Sequence, residues 1–228
     1  MKAVILSAGK GTRLRPITLE IPKSLISIAG KPIIERIFES LPDEISEVII
    51  VVDYLKDKIK AHLKENFYGK SVLYVDQAEK KGTFGALLSA QQLLERDERF
   101  LVLNGDDLHN KDELNEYLRY PRSLGVQKMK MPNYYNVVVN SLGYVDGFKA
   151  QSDKEKQCEV LVATGAYVVD ENIFRHPGVM VQGGEYGLPQ TILEQKEIYP
   201  IKAVITKNWI PINTFDDMEK ANNIIKSK

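Results

Sequence analysis

Residues 2–16 read KAVILSAGKGTRLRP, and this stretch decides the fold. A short apolar run, Ala3 to Leu6, passes directly into a turn of small residues that contains Gly9 and Gly11. Small residues at the end of a strand let backbone N–H groups approach a polyphosphate closely, because no Cβ atom blocks the way. Arg13 then supplies a permanent charge whose planar fork suits phosphate oxygens. The spacing fits neither a Walker A loop nor G-x-G-x-x-G, so the turn predicts a different kind of phosphate-binding loop.

Apolar runs alternate with amphipathic segments throughout the first 110 residues. Four runs rich in Val, Ile and Leu have the length of buried strands: Ala3 to Leu6, Val48 to Val52, Val72 to Val75 and Phe100 to Leu103. Helical patterns lie between them, at Ile33 to Leu41, Leu55 to Asn66 and Thr83 to Arg96. This alternation predicts a Rossmann-like, three-layer α/β/α fold with a mixed, mostly parallel central sheet. Ligands of such sheets collect at the carboxyl ends of the strands, so a site is expected after Leu6 and after Leu103.

The pattern changes after Asn110 to shorter elements. Short antiparallel strands are predicted at Gly125 to Met131, Tyr135 to Val139 and Tyr144 to Phe148, which together would form a small antiparallel subregion. A longer strand is expected at Val160 to Val169, and helices at Leu188 to Lys196 and Phe215 to Lys226. The sequence contains no low-complexity linker and no internal repeat. We therefore expect a single domain over 1–228 with two halves, 1–110 and 111–228.

The composition is that of an ordinary globular protein. Apolar residues make up 43% and charged residues 27%, and 31 basic residues balance 31 acidic ones. Without a basic surplus, we expect no nucleic-acid partner. The N-terminal apolar run is too short for a signal peptide, and no segment reaches spanning length, so we expect a cytoplasmic protein with no membrane partner. The single cysteine, Cys158, excludes an intrachain disulfide.

The opening motifs carry a family resemblance. The run Gly9-x-Gly-Thr-Arg-Leu-x-Pro16, followed by Pro22-Lys23-Ser24-Leu25 and Gly30-Lys31-Pro32, resembles the sugar-1-phosphate nucleotidylyltransferases. The resemblance implies a nucleotide-binding half at 1–110, an acceptor-binding half at 111–228, and a loop that wraps a triphosphate. It also implies that Arg13 and Lys23 are catalytic, since this transfer needs charge neutralisation and positioning more than covalent help. The loop residues so implicated are Leu6, Ala8, Gly9, Lys10, Gly11 and Thr12.

Residues 77–86, QAEKKGTFGA, follow the third predicted strand. Gln77 offers both a donor and an acceptor, so it can read a pyrimidine edge through two bonds. Gly82 and Thr83 open a helix whose backbone amides can meet ligand acceptors. The segment resembles the base-recognition segment of uridylyl- and thymidylyltransferases, which favours UTP or dTTP. GTP stays open, because Gly-Thr-x-Gly-Ala also resembles guanylyltransferases, and a plain helix cap would explain Thr83 equally well.

Asn104-Gly105-Asp106-Asp107 ends the fourth predicted strand. A carboxylate at this end, in a site that holds phosphates, is a natural Mg²⁺ ligand. The metal aspartate of the family matches Asp106. Asp107 stands where relatives vary, and it could bind substrate, orient a water molecule or cap the next helix.

The second half departs from the family pattern. Ala150 and Gln151 occupy the places of a Glu-Lys pair that contacts the sugar and its phosphate in relatives, and Lys149 lies one residue out of register. Pro211 stands where relatives carry the aspartate that is the second metal ligand. Asn213 is the candidate replacement, because an amide oxygen can coordinate Mg²⁺, although a turn residue explains it equally well.

Other parts of the acceptor half keep family features. The segment Gly165-Ala166-Tyr167 resembles the family's strand that lies against the sugar, which makes Gly165 a candidate substrate-binding residue. The segment Glu185-Tyr186-x-Leu188 resembles a sugar-binding segment of the family, which does the same for Glu185. A glutamate there can accept hydrogen bonds from adjacent hydroxyls. Ala163, however, stands where uridylyltransferases for amino sugars carry an asparagine, so one usual sugar contact is absent.

These features predict a Mg²⁺-dependent nucleotidylyltransferase that moves a nucleoside monophosphate from an NTP to a sugar 1-phosphate. Two alternatives stay open. One is a choline- or polyol-phosphate cytidylyltransferase of similar fold, whose aromatic cage would come from Tyr134, Tyr135, Tyr144, Tyr167 and Tyr186. The other is a catalytically silent, nucleotide-binding regulatory subunit, suggested by Gln151 and Pro211. A homo-oligomer is possible, and no fused acyltransferase is expected because the C-terminal β-helix of some relatives is absent.

Overall fold

A computed structural model describes residues 1–79, 81–94, 99–132 and 134–227 of the chain. Its centre is an eight-stranded sheet. The strands are β1 (Lys2–Leu6), β2 (Glu47–Val52), β3 (Asn66–Phe67), β4 (Lys70–Asp76), β5 (Phe100–Asn104), β6 (Ser123–Met129), β7 (Val160–Val169) and β8 (Lys202–Thr206). Across the sheet they are ordered β8-β6-β7-β5-β1-β2-β4-β3.

The sheet is mixed and mostly parallel, as predicted. Strand β1 pairs in parallel with β2 and β5, β2 with β4, and β6 with β8. Strand β7 is antiparallel to both β5 and β6, and the short β3 is antiparallel to β4. One sheet therefore runs through both halves of the sequence, with β7 joining β6 and β8 to the strands of residues 1–110.

Helices cover both faces of the sheet. They are α1 (Ile33–Ser40), α2 (Lys56–Leu63), α3 (Thr83–Ser89), α4 (Lys111–Tyr117), α5 (Leu188–Glu194) and α6 (Phe215–Lys226). Successive strand residues point to opposite faces, so Ala3 and Ile5 join one apolar cluster and Val4 joins the other. Helices α1, α2, α4 and α6 pack in the first cluster, and α3 and α5 in the second. This is the three-layer α/β/α arrangement that the alternation predicted.

Small antiparallel pairs complete the structure. Asn136–Val139 pairs with Val145–Lys149, and Val179–Met180 with Tyr186–Gly187. Asp107–Leu108 pairs with Ile210–Pro211, and Ser27–Ile28 with Lys31–Pro32. Short 3-10 turns lie at Thr12–Leu14, Ile17–Leu19, Lys23–Leu25, Gln91–Leu93, Glu155–Gln157 and Glu171–Arg175. Within the described ranges, no helix is both long enough and apolar enough to span a bilayer.

Several predicted boundaries were wrong. Helix α2 is shorter than Leu55 to Asn66, because Leu55 and Lys64 both adopt positive φ, 54° and 56°, which ends a right-handed helix. Helix α3 ends at Ser89, and the predicted end at Arg96 lies outside the described residues. The strand predicted at Gly125 to Met131 spans Ser123–Met129 and belongs to the main sheet. It pairs in parallel with β8, a strand that the sequence pattern did not predict.

Candidate active site

The glycine-rich loop follows β1, and Gly11 fixes its shape. Gly11 has a φ of +59°, and a Cβ there would lie 2.9 Å from Cγ2 of Thr18. The Thr18 hydroxyl donates to the Gly11 carbonyl at 2.8 Å and closes the turn. At Gly9, in contrast, a Cβ would meet no atom within 4 Å, so the backbone there borders open space. The loop is therefore rigid at Gly11 and accessible at Gly9.

This loop lines a cleft of about 640 Å³, called here the nucleotide cleft. The segment that begins at Gln77 lines the same cleft, together with Asn104, Gly105 and Asp106 from the end of β5. All the residues predicted to hold the nucleotide line it: Leu6, Ala8, Gly9, Lys10, Gly11, Thr12, Gln77, Gly82 and Thr83. Two segments far apart in sequence thus meet at the carboxyl ends of the parallel strands, where ligands of such sheets bind.

Four polar side chains converge at the end of β5. The Lys23 ammonium donates to Asp106 and, at 3.2 Å, to Oδ1 of Asn213. Nη2 of Arg13 donates to the same amide oxygen at 2.9 Å. The side chain of Lys23 is only 12% exposed, so its charge is shielded from solvent where it meets Asp106. Arg13 itself is exposed and reaches the site from outside through Asn213.

The two oxygen ligands proposed for Mg²⁺ fit a cation in this geometry. A carboxylate oxygen of Asp106 and the amide oxygen of Asn213 both contact one ammonium, that of Lys23, so they face a common position for positive charge. Among the described residues, no group of three Asp, Glu, His or Cys side chains could hold a metal alone. Because Mg²⁺ commonly binds through one or two protein oxygens with phosphate and water completing its shell, two ligands suffice here.

Asp107 lies beneath this cluster and is 4% exposed. Burial and the neighbouring charge of Asp106 raise the pKa of Asp107 well above its ordinary value, although a hydrogen bond donated by Nδ2 of Asn104 at 3.0 Å opposes them. Asp107 is not the helix cap considered above, because Asn110 caps α4 by accepting from the backbone N–H groups of Asp112 and Glu113. Asp107 is therefore a buried acid at the base of the site.

Gly165 makes room for this buried acid. It has a φ of +74°, and a Cβ there would lie 2.2 Å from Oδ2 of Asp107 and 2.3 Å from Nδ2 of Asn104. The pairing of β7 with β6 shifts register between Ala163 and Tyr167, so Gly165 lies in a bulge of the strand. Bulges of this kind commonly occur beside active sites, where they redirect side chains.

A second cleft of about 350 Å³, called here the acceptor cleft, adjoins the first. The two share Thr83, Asn104, Asp106 and Glu185. The acceptor cleft is also lined by Asp107, Gly165 and Asn213, so it brings together the predicted acceptor-side residues. Its aromatic residues are Tyr134, Tyr135, Phe148, Tyr167, Tyr186 and Trp209. Among the described lining residues, none is Lys, Arg or His, so this cleft is aromatic and acidic.

The walls of the two clefts are hydrogen bonded to each other. The backbone N–H of Tyr186 donates to the Lys81 carbonyl at 2.8 Å, and that of Leu188 donates to the Thr83 hydroxyl at 2.8 Å. Gly82, with a φ of +91°, packs so closely that a Cβ would lie 2.5 Å from the Tyr186 carbonyl oxygen. The Thr83 hydroxyl therefore joins two chain segments and does not cap α3, whose N-cap is Gly82.

The sequence matches a family model described as "Nucleotidyl transferase" over residues 2–182. The chain belongs to the nucleotidyl transferase family. The resemblance to its sugar-1-phosphate nucleotidylyltransferases, seen in the opening motifs, is thereby confirmed. The bifunctional protein GlmU of Methanocaldococcus jannaschii is 32% identical over the whole of this chain, which covers 55% of that protein. The UTP–glucose-1-phosphate uridylyltransferase AglF of Haloferax volcanii is 33% identical over 84% of this chain and 82% of its own length.

Solved structures of this fold resemble the chain from end to end. A UDP-glucose pyrophosphorylase complexed with UDP-glucose superimposes with a TM-score of 0.85 at 21% identity, covering 99% of this chain and 98% of its own. The inositol-1-phosphate CTP transferase from T. maritima gives a TM-score of 0.76 at 17% identity, covering 96% of this chain and 95% of its own. Identities this low establish the fold alone. The chain spans about half the length of the GlmU proteins it matches.

Three residues that depart from the family pattern make contacts of another kind in the structure. Lys149 is exposed and forms an ion pair with Glu155 at 3.6 Å. Gln151 is buried and donates to the carbonyls of Met131 and Tyr134 at 2.8 and 2.5 Å. Pro211 is buried in a strand that pairs it with Asp107.

The sequence alone indicated no role for Asn104 or Trp209, and it suggested Tyr134 only as part of an aromatic cage. Asn104 holds Asp107, Trp209 lines the acceptor cleft, and Tyr134 accepts a hydrogen bond from Asn213. Asn104 could have been found from its place at the end of a strand. Tyr134 lies in a loop without a motif, so its contact with Asn213, far away in sequence, had no local signal.

Proposed function

We propose that this chain transfers a nucleoside monophosphate from an NTP to a small phosphorylated acceptor and releases pyrophosphate. We favour UTP or dTTP as the donor and a sugar 1-phosphate as the acceptor. The observation that carries the proposal is the junction of the two clefts. A loop suited to a triphosphate and an acceptor cleft share Asp106, beside the Lys23 ammonium. Two substrates bound there would meet at the charged cluster.

The proposed reaction is a direct displacement at the α-phosphorus. An oxygen of the acceptor phosphate forms a bond to the α-phosphorus while the bond to the oxygen of the leaving pyrophosphate breaks. No general base is required, because the attacking phosphate is already anionic. Lys23 is proposed to neutralise the acceptor phosphate or α-phosphate, and Arg13 the departing pyrophosphate.

Asp106 and Asn213 are the residues that would hold Mg²⁺, for which their converging oxygens are suited. When bound, the ion supplies charge neutralisation on the phosphates. The protein's contribution is to orient these oxygens and to limit solvent at the site, since Asp107 below them is buried.

The preference for a pyrimidine nucleotide rests on Gln77. Its side chain lines the nucleotide cleft, and its amide contacts the Gly82 carbonyl at 3.5 Å, a weak interaction that a base could replace. An amide can both donate to and accept from the edge of a uracil or thymine ring. The similarity to AglF, a UTP–glucose-1-phosphate uridylyltransferase, supports the same preference.

The first experiment is thermal stabilisation by ATP, CTP, GTP, UTP and dTTP with Mg²⁺. A ligand that binds the native state raises the melting temperature by mass action. We expect the largest shift with UTP or dTTP. A panel of sugar 1-phosphates is then tested with that nucleotide by pyrophosphate release, with Asp106→Ala as the inactive control. Stabilisation without turnover on any acceptor would contradict the proposal and favour a silent regulatory subunit.

A second candidate is supported by the aromatic lining of the acceptor cleft. Of the five tyrosines considered for a cage, Tyr134, Tyr135, Tyr167 and Tyr186 line this cleft, while Tyr144 lies outside it beside Lys202. Aromatic faces with a nearby carboxylate, here that of Glu185, attract an ammonium group. The acceptor would then be choline phosphate or a polyol phosphate and the donor CTP. A thermal shift with CTP alone, and pyrophosphate release from CTP with choline phosphate, would favour this candidate.

A further inference from the structure

Three departures from the family pattern lie in one connected group of side chains. Pro211 is paired with Asp107 across a short two-stranded ladder, and the next backbone N–H, of Ile212, donates to the Asp106 carbonyl at 3.0 Å. Asn213 follows directly and reaches the charged cluster. Gln151 contacts the backbone of Tyr134, whose hydroxyl contacts Asn213. The departures therefore belong to a single structural arrangement.

The amide of Asn213 has a defined orientation. Its Oδ1 accepts from Arg13 at 2.9 Å and from Lys23 at 3.2 Å, while its Nδ2 donates to the Tyr134 hydroxyl at 3.2 Å. The two ends of an amide are chemically different, since one accepts and the other donates. If the amide flipped, its NH₂ group would face two cations and the oxygen would lose both of its donors. The two cations therefore fix which way the amide is turned, and the Tyr134 hydroxyl holds the amide in place by accepting from its Nδ2.

Tyr134 is itself held from two sides. Gln151, 9% exposed, donates to the carbonyl of Tyr134 at 2.5 Å and to that of Met131 at 2.8 Å. The ring of Tyr134 packs edge-on against that of Trp209, with centroids 6.3 Å apart. The loop that carries Tyr134 is thereby fixed against the acceptor cleft.

We propose that Tyr134 is a positioning residue, which holds the Asn213 amide where its oxygen faces bound metal and phosphate, and that Gln151 holds Tyr134 in place for this role. Pro211 offers no side-chain ligand, so Asn213 is the residue that brings an oxygen from this segment to the charged cluster. A carboxylate presents an oxygen whichever way it is turned, whereas an amide must be oriented by a neighbour. The inference rests on the proposed function, because the metal and the nucleotide phosphates are the groups that Asn213 would face.

The test compares nucleotide affinity with and without a divalent ion. The affinity for UTP is measured by calorimetry in Mn²⁺ and in EDTA, with no acceptor present, so that turnover plays no part. Tyr134→Phe should lower the gain in affinity due to Mn²⁺ by roughly threefold to tenfold, since one neutral hydrogen bond to a ligand is lost. Its affinity in EDTA should stay within about twofold of the wild type. Gln151→Leu should act in the same direction.

Two further variants make the result specific. Tyr144→Phe removes a tyrosine hydroxyl outside both clefts and should change neither affinity. Adding Asn213→Asp to Tyr134→Phe should restore the gain due to Mn²⁺, because both carboxylate oxygens are equivalent. Melting curves of each variant check that the fold is retained.

The inference is overturned if Tyr134→Phe leaves the Mn²⁺-dependent gain in UTP affinity unchanged, or lowers the affinity for UTP equally in Mn²⁺ and in EDTA. It is overturned as well if adding Asn213→Asp to Tyr134→Phe fails to restore that gain. It is also overturned if wild-type protein gains no affinity for UTP from Mn²⁺. Turnover of wild-type protein is measured separately. A wild type that binds UTP in a metal-dependent way but forms no product with any acceptor would contradict the proposed function while leaving this test readable.

Discussion

The nucleotide cleft and the acceptor cleft share a border at Asp106 but are built in different ways. The largest single contribution to the nucleotide cleft is one continuous loop, residues 6–12, whose shape depends on the backbone of Gly11. The acceptor cleft is lined by side chains from many separate segments, among them Tyr134, Tyr167 and Trp209. A cleft made of local backbone is specified by a short motif, whereas a cleft made of distant side chains can change one residue at a time. This fits the position of Ala163 and Asn213, two departures from the family pattern that line the second cleft.

The largest effect is expected where the two clefts meet. Asp106→Ala removes the carboxylate that contacts Lys23 and that is proposed to hold Mg²⁺. We expect turnover to fall by about a thousandfold or more, because charge stabilisation at the reacting phosphates is the main catalytic contribution. Pyrophosphate release measures the loss.

Asp146→Ala is the matched control for Asp106→Ala, since Asp146 forms an ion pair with Lys196 at 3.1 Å and lines neither cleft. It should keep wild-type turnover. If Asp106→Ala kept its turnover and its melting temperature, Asp106 would not be a metal ligand. The border that the two clefts share at Asp106 would then not be the place of the reaction.

A large effect on stability is expected within the acceptor cleft. Gly165→Ala places a Cβ in a left-handed backbone conformation and 2.2 Å from Oδ2 of Asp107. We expect the free energy of unfolding to fall by about 2–4 kcal/mol, from backbone strain and overpacking together. Urea unfolding measures the change. Gly147→Ala is the control, because a Cβ there meets no atom within 4 Å; an equal loss in both variants would show that the bulge carries no special constraint.

More of the fold than of the candidate site could be predicted from the sequence. The four runs of β-branched and aliphatic residues in the first half identified strands that the structure contains, because parallel strands buried on both faces read as continuous apolar runs. Strand β8 was missed, since Lys202–Thr206 lies at the edge of the sheet and its Ile205 is exposed, which weakens the apolar signal. In the site, the motif residues Gly11 and Lys23 were recognisable, but the contact of Tyr134 with Asn213 depends on tertiary structure alone.

A smaller effect is expected when only the nucleotide cleft is altered. Gln77→Leu keeps the approximate size of the side chain but removes its donor and acceptor. We expect the KM for the nucleotide to rise about tenfold while the KM for the acceptor changes little, as expected for the loss of one or two hydrogen bonds. Steady-state kinetics with each substrate varied in turn measures both values. Gln157→Leu, at an exposed position outside the clefts, is the control. If acceptor KM rose equally, the assignment of Gln77 to the base would be wrong.

The smallest effect concerns a residue that lines neither cleft. Nε2 of His109 is buried with no hydrogen-bond partner among the described residues, and burial lowers the pKa of His109 to about 3. The folded protein therefore keeps this ring neutral, while the unfolded chain takes up a proton near pH 6.5. The resulting stability is complete above that pH and is lost as the pH falls towards 3. We expect the free energy of unfolding to decrease by about 1 kcal/mol between pH 6.5 and 5.5 from this residue.

Urea unfolding of the wild type and of His109→Asn over pH 5.5–7.5 measures that contribution. The variant should show the shallower dependence on pH. Identical slopes in the two proteins would mean that the pKa of His109 is the same in the folded protein and in the unfolded chain, so that its burial contributes nothing to the pH dependence of stability.

The hydrogen bonds between Lys81 and Tyr186, and between Thr83 and Leu188, have a consequence for how this protein can be altered by evolution or by design. Two hydrogen bonds join the segment proposed to recognise the base to the segment proposed to bind the acceptor. The absence of a Cβ at Gly82 allows this close approach. A designed variant that takes the base-recognition segment of another protein should therefore exchange residues 81–83 and 186–188 together. If these segments have the roles proposed for them, the preferences for donor and acceptor would change together, because a substitution on one side alters hydrogen bonds made by the other.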